Sequence, residues 1–230
     1  METRGDYMCV NCGAKAPSLY KQHSPDVLRL YHCKKCENIV DKYVEYDTTI
    51  ILIDIILQQH QAYRHILFNA GSKPFWKIAV ILLLCDSYVL WINQEQKKTR
   101  KNFNQFQNFQ LDWDIYIMAL VTLIELVSFV LTVLIFTQLI RNKWRISYST
   151  LVHAMIVGSC GKLMIVPALI WGQSGSYIYL GLTSFFVWLS LVHVYQAVCG
   201  VPQSVAFVTI TCSQGIQYLI RCLLLMLMYV

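Results

Sequence analysis

Past residue 74 the chain alternates between long apolar runs and short polar breaks, and the runs have the length of a bilayer crossing. A hydrocarbon core of about 30 Å takes roughly 20 helical residues. Residues 75–92, 115–140, 151–171 and 177–200 reach that length with few charges. Residues 205–230 are also apolar but carry Gln214, Gln217 and Arg221, so the pattern predicts four or five spans. Gly172, Gly175 and Pro202 fall in the breaks, where residues that end helices belong. A polar loop, 93–114, separates the first two spans, and 141–150 follows the second.

The pattern before the spans is different. Residues 48–69 predict a helix with Asp47 or Thr48 as N-cap, since their side-chain oxygens can accept first-turn amides. Its first half, TIILIDIIL, is apolar nearly all round except Asp54; its second half, QQHQAYRHILFN, is mixed. The apolar part is short for a span, which predicts an interfacial or re-entrant helix, with a helix packed on the spans as the rival reading. Residues 1–46 contain two C-x2-C pairs, Cys9/Cys12 and Cys33/Cys36, twenty residues apart. That spacing suits a tetrahedral four-thiolate zinc site with no open position for water, hence a structural metal. Gly13 after the first pair supplies the permissive backbone of a knuckle turn, and the stretch between the pairs reads as two extended runs joined at Ser24-Pro25-Asp26. The expected architecture is a polytopic α-helical membrane protein of about four to five transmembrane helices, carrying a small β-rich zinc ribbon (1–46), an interfacial helix (47–70) and a membrane domain (71–230).

Composition narrows the function. Only 14% of residues are charged and 56% are apolar, against roughly 25% charged in soluble domains. Residues 1–74 hold 9 basic and 8 acidic side chains, residues 75–230 only 10 and 5, so the membrane character belongs to the second part. This excludes a free-standing soluble enzyme. The net charge of +6 is modest and spread out, with no nucleic-acid module. The N-terminal residues show no apolar core of a signal peptide, so the first span is expected to act as targeting signal. Lys73, Lys77, Arg141, Lys143 and Arg145 favour a cytosolic N-terminus by the positive-inside rule, as does reduced-cysteine chemistry; Lys97, Lys98, Arg100 and Lys101 argue the other way.

Lys77, Asp86, Glu125, Lys162 and Arg221 fall within the predicted spans, where a charge needs a partner or a watered cavity. Glu125 and Lys162 have similar depth and are expected to pair with each other. Cys85, Cys160, Cys199, Cys212 and Cys222 read as small buried hydrophobes. His153 and His193 are isolated, and Asp112-Trp113-Asp114 precedes a span, where acidic residues favour the helix start. No catalytic motif stands out, and no enzyme is expected.

Taken together, Cys9-Val10-Asn11-Cys12-Gly13, Cys33 and Cys36, DKYVEYD (41–47), Ile53-Asp54 and AYRHILFN (62–69) resemble the homology domain of the Arv family of endoplasmic-reticulum membrane proteins over about residues 7–70. The resemblance implies a role in sterol homeostasis, lipid transport out of the endoplasmic reticulum, sphingolipid metabolism and early glycosylphosphatidylinositol (GPI) anchor synthesis. It further implies sterol, GPI precursors or GPI-synthesis subunits as partners. The residues expected to contact membrane or partner are Tyr46, Asp54, Tyr63, Arg64, His65, Phe68 and Asn69, with Tyr63 and Arg64 meeting headgroups. Two other roles compete with lipid transport: a scaffold subunit of a GPI-synthesis complex, and a membrane-embedded lipid enzyme using His153, His193 or Asp114.

Overall fold

The computed structural model describes residues 7–24, 27–71, 75–101, 111–140, 147–171 and 177–229. The N-terminal part is built from two small antiparallel hairpins. In the first, β1 (Tyr7–Met8) pairs with β2 (Lys15–Ala16); in the second, β3 (Tyr20–Ser24) pairs with β4 (Val27–Leu30), with Tyr20 opposite Leu30. The expected β-rich ribbon is therefore present; Pro25 and Asp26 of its turn lie outside the described residues. Backbone bonds from Tyr31 to Leu19, from Val40 to Tyr31 and from Val10 to Val40 join the hairpins around a core of Ala16, Leu19, Val40 and two cysteines.

The helix expected over 48–69 is broken in two. The first piece, α1 (Thr48–Ile56), has Asp47 in the N-cap position but without a side-chain bond, and it stops because Gln58 takes a left-handed backbone with φ of 59°. The chain turns and re-enters as α2 (His60–Arg64), widening into a π turn over His65–Asn69 before Gly71, at φ 78°, ends it.

Among the described residues, five helices long and apolar enough to cross a membrane follow, and the chain is a multi-pass membrane protein. They are α3 (Phe75–Lys101), α4 (Leu111–Ile140), a composite of α5 (Tyr148–Gly158) and α6 (Ile165–Ile170), then α7 (Tyr177–Cys199) and α8 (Gln203–Tyr229). Both ends of the expected 93–114 loop are helical, since α3 continues through Lys101 and α4 already starts at Leu111; residues 102–110 lie outside the described residues. Of the orientation charges, Lys73, Arg141, Lys143 and Arg145 lie outside the described residues, as do the side chains of Lys97, Lys98, Arg100 and Lys101.

The third crossing is tightened into a 3-10 stretch, Ser159–Met164, between α5 and α6. Here α7 comes close: a Cβ on Gly158 would meet Leu191 at 2.9 Å, and one on Gly161 would meet Phe186 at 2.7 Å. The main core lies along this seam, with Met155, Val187, Leu191 and Val194 packed together with Tyr63 of α2. Large apolar side chains such as Leu131, Leu139, Ile178, Leu182 and Leu227 cover the outside, as a lipid-facing surface requires.

Candidate functional site

The two cysteine pairs occupy equivalent knuckles. Gly13 N–H donates to the Cys9 carbonyl and Glu37 N–H to the Cys33 carbonyl, both at 2.9 Å; Cys9 N–H reaches Ala14 and Cys33 N–H reaches Asn38, both at 2.8 Å. The residue after the second cysteine is left-handed in each, Gly13 at φ 74° and Glu37 at φ 60°. The four sulfurs lie within 4.8 Å of one another. Cys9 Sγ to Cys36 Sγ and Cys12 Sγ to Cys33 Sγ are both 3.7 Å. A tetrahedron with metal–sulfur bonds of about 2.3 Å has edges of about 3.8 Å, so the cluster fits a four-thiolate metal such as zinc. Lys35 N–H points at Cys33 Sγ at 3.4 Å. The backbone amides of Lys35 and Cys36 bring the Cys33 thiol down to about 6, whereas burial pushes Cys9 up to about 12.

Directly behind the cluster is a polar joint centred on Asp41, which is fully buried. Its Oδ1 accepts Tyr43 N–H at 2.9 Å; its Oδ2 lies 2.7 Å from His65 Nδ1 and accepts Asn69 Nδ2 at 2.7 Å. A carboxylate can only accept, so His65 carries its proton on Nδ1. The Tyr43 hydroxyl donates to Asp54 at 2.7 Å, and burial together with that carboxylate pushes the Tyr43 hydroxyl well above the ordinary tyrosine range.

Arg64 fastens this assembly to the spans. Its Nη1 donates to the carbonyls of Asn11 (2.8 Å) and Val10 (3.1 Å), and its Nε donates to Ala197 at the end of α7 (3.1 Å). Tyr63 works alongside: its hydroxyl donates to Ile55 (3.1 Å) and receives from Ser190 of α7 (2.9 Å).

These positions correct several expectations. Tyr63 is completely buried, and Arg64 is committed to three carbonyls, so neither faces headgroups. His65 and Asn69 are buried on Asp41, Asp54 is held by Tyr43, and Phe68 packs against the main core. Of the seven, Tyr46 is the one exposed residue. Outward-facing apolar chains lie instead on α1 and just after it, where Ile50, Leu52, Ile53, Ile56 and Leu57 are 43% to 62% exposed.

Glu125 and Lys162 do not pair. Glu125 receives a two-bond fork from Arg221, Nε at 2.7 Å and Nη2 at 2.5 Å, while Lys162 bonds Asp86 at 2.7 Å. The rotation of α8 presents Arg221 to α4, and Lys162, on the 3-10 stretch, faces α3 instead. His153 stacks on Phe75 with ring centroids 4.6 Å apart, His193 meets the His60 ring at a tilt of 49° with centroids 5.1 Å apart, and neither joins the metal cluster. Asn11, Asp41 and Tyr43 stand inside the motifs CVNCG and DKYVEYD, which assign them no role of their own, and Ser190 leaves no signal in the sequence.

Comparison with known proteins gives a consistent result. The model of the Arv1-like family matches residues 8–198. Protein ARV1 of Bos taurus is 33% identical over 89% of this chain and 73% of its own length, and Protein ARV1 of Homo sapiens is 30% identical over 89% and 76%. Protein ARV 2 of Arabidopsis thaliana is 42% identical over a shorter stretch, 35% of this chain and 38% of its own. No solved structure matches.

Proposed function

Because the chain belongs to the Arv1-like family, we propose that it mediates sterol homeostasis and lipid transport from the endoplasmic-reticulum membrane, with effects on sphingolipid metabolism and early GPI-anchor synthesis. In this reading Cys9, Cys12, Cys33 and Cys36 hold a structural zinc ion, the ribbon is cytosolic, and membrane lipids are the ligands. The observation that carries it is the exposed apolar face of α1 on an otherwise rigid polar assembly. Five half-buried aliphatic chains leaving water are worth roughly 1 kcal/mol each, enough to seat α1 in a bilayer surface. The Tyr43–Asp54 and Tyr63–Ile55 bonds then hold that helix on the assembly, and zinc supplies the ordering that a ribbon of this size cannot draw from its own core.

The experiment is a transport assay with the purified chain in liposomes, with and without zinc, beside cells carrying Cys9→Ala/Cys12→Ala. Movement of sterol or glycolipid that depends on zinc, and loss of sterol handling in the variant, support the proposal. Normal sterol handling and anchor synthesis in the variant overturn it. Stoichiometric co-isolation with anchor-synthesis subunits, without transport by the purified chain, replaces transport with a scaffold role. Loss of rescue by Ala variants of His153, His193 or Asp114 redirects the assignment to catalysis.

A further inference from the structure

A cavity of about 350 Å³ opens among α3, the 3-10 stretch with α6, α7 and α8, within the span region and away from the ribbon. Three of its lining residues are charged: Asp86, Lys162 and Arg221. Asp86 is eleven residues into α3 from Phe75, about 16 Å along the axis, and Arg221 is eight residues from Tyr229, about 12 Å. Both therefore lie at hydrocarbon depth. Charges there are costly, and a bundle that needs them only for packing closes around the pairs. Here the side chains of Asp86, Lys162 and Arg221 remain 25%, 27% and 33% exposed.

The arrangement is directional. Glu125, 3% exposed and outside the cavity lining, grips Arg221 through Nε and Nη2, which orients the guanidinium and leaves Nη1 outside the fork. Lys162 gives one of its three donors to Asp86. The cavity wall thus presents the remaining donors of two paired cations, Lys162 on Asp86 and Arg221 on Glu125. Thr183, Ser184, Gln214 and Gln217 add neutral hydrogen-bonding groups beside them. A sterol brings a single hydroxyl and would leave most of these groups without a partner once water is displaced. A phosphodiester supplies several acceptor oxygens, and Asp86 suits a cationic end beyond it.

We propose that this cavity binds the headgroup of a zwitterionic glycerophospholipid, its phosphate on Lys162 and Arg221 and its ammonium towards Asp86. The site goes beyond the sterol reading and does not depend on the ribbon.

The test uses the full purified chain in detergent micelles, titrated with dioctanoyl-phosphatidylethanolamine, with dioctanoylglycerol and with inorganic phosphate, and bound lipid counted by native mass spectrometry. The phospholipid should bind at least roughly tenfold more tightly than the diacylglycerol, and free phosphate should not displace it. Asp86→Asn/Lys162→Gln removes both charges together, so no partner is stranded, and should weaken phospholipid binding roughly tenfold. Ser184→Ala/Gln214→Leu keeps both ion pairs and should also weaken it, so a folding defect in the first variant leaves the result decidable. Equal affinity for phospholipid and diacylglycerol, or no change in either variant, overturns the proposal. Displacement by inorganic phosphate at similar concentration assigns a soluble-anion site and overturns the lipid assignment. Zinc-stripped protein should bind the phospholipid equally well, which separates this outcome from the fate of the ribbon reading.

Discussion

Asn69 holds Asp41 and Met8 at once. Its amide nitrogen donates to the Asp41 carboxylate at 2.7 Å and to the Met8 carbonyl at 2.8 Å, and its oxygen receives Met8 N–H at 2.9 Å. The first strand of the ribbon is thereby bound to the last turn before the spans. Asn69→Asp replaces a donor with a second carboxylate and should destabilise the N-terminal region more than Asn69→Ala, which itself should cost about 1–3 kcal/mol for the unsatisfied groups. Limited proteolysis of residues 7–71 in the two variants checks the order.

Metal analysis of the purified chain should find one zinc per molecule, lost in Cys9→Ala/Cys12→Ala. Helical circular dichroism should be almost unchanged in that variant, because the spans form their own backbone bonds. A collapse of helical signal along with the metal would contradict the separation of ribbon and bundle.

Arg64→Lys keeps the charge but not the planar fork that reaches the Asn11 and Val10 carbonyls and Ala197 together. Faster hydrogen exchange at residues 10–13 is expected, with the core of α5 unaffected. Gly13→Ala should act in the same direction, since φ 74° strains any side chain there.

For the intramembrane fork, Arg221→Leu should lower stability by roughly 3–5 kcal/mol because it strands the buried Glu125 carboxylate, and Glu125→Leu should lower it by less, since Arg221 remains partly exposed in the cavity. The double variant should recover much of the loss. Additive losses in that cycle would show that the two residues do not interact.

The α2–α7 contact should weaken in acid. Burial first, then neighbouring His193 and Arg64, hold the His60 imidazole below its ordinary value of 6.5. The folded chain therefore favours neutral His60. The associated stability is fully present above pH 6.5 and falls as pH drops from there towards the lowered folded value. Proteolysis at the α1–α2 turn between pH 7.5 and 5.5 should rise accordingly, and His60→Phe should flatten that dependence.

What the sequence disclosed and what it withheld divide along physical lines. The cysteine cluster was legible because its geometry is local: each pair makes its own knuckle, and the spacing marks the four sulfurs as a group that can hold a metal. The five crossings were legible because apolar length is a property of one segment. Partner choice was not, since Glu125 reaches Arg221 instead of Lys162 only through the rotation of α4 against α8, which no single helix encodes. The break at Gln58 was hidden for another reason: the position holds neither Gly nor Pro, and the surrounding fold imposes its left-handed backbone. Tyr63 and Arg64 looked like surface amphiphiles because both carry polar tips, yet those tips are consumed by backbone carbonyls and Ser190.

The seam at Gly158 and Gly161 leaves α7 no slack against the third crossing, and Arg64 ties the far end of the same helix to the cysteine knuckles. α2, α5 and α7 thus meet through close backbone approach and the bonds of Arg64 and Tyr63, whereas α3, α4 and α8 join them through side-chain packing in the main core, by Phe75, Phe129, Val133, Ala206 and Ile210. Breathing of the bundle should therefore occur between these two halves, and the cavity flanked by Asp86, Lys162 and Arg221 lies on that parting line.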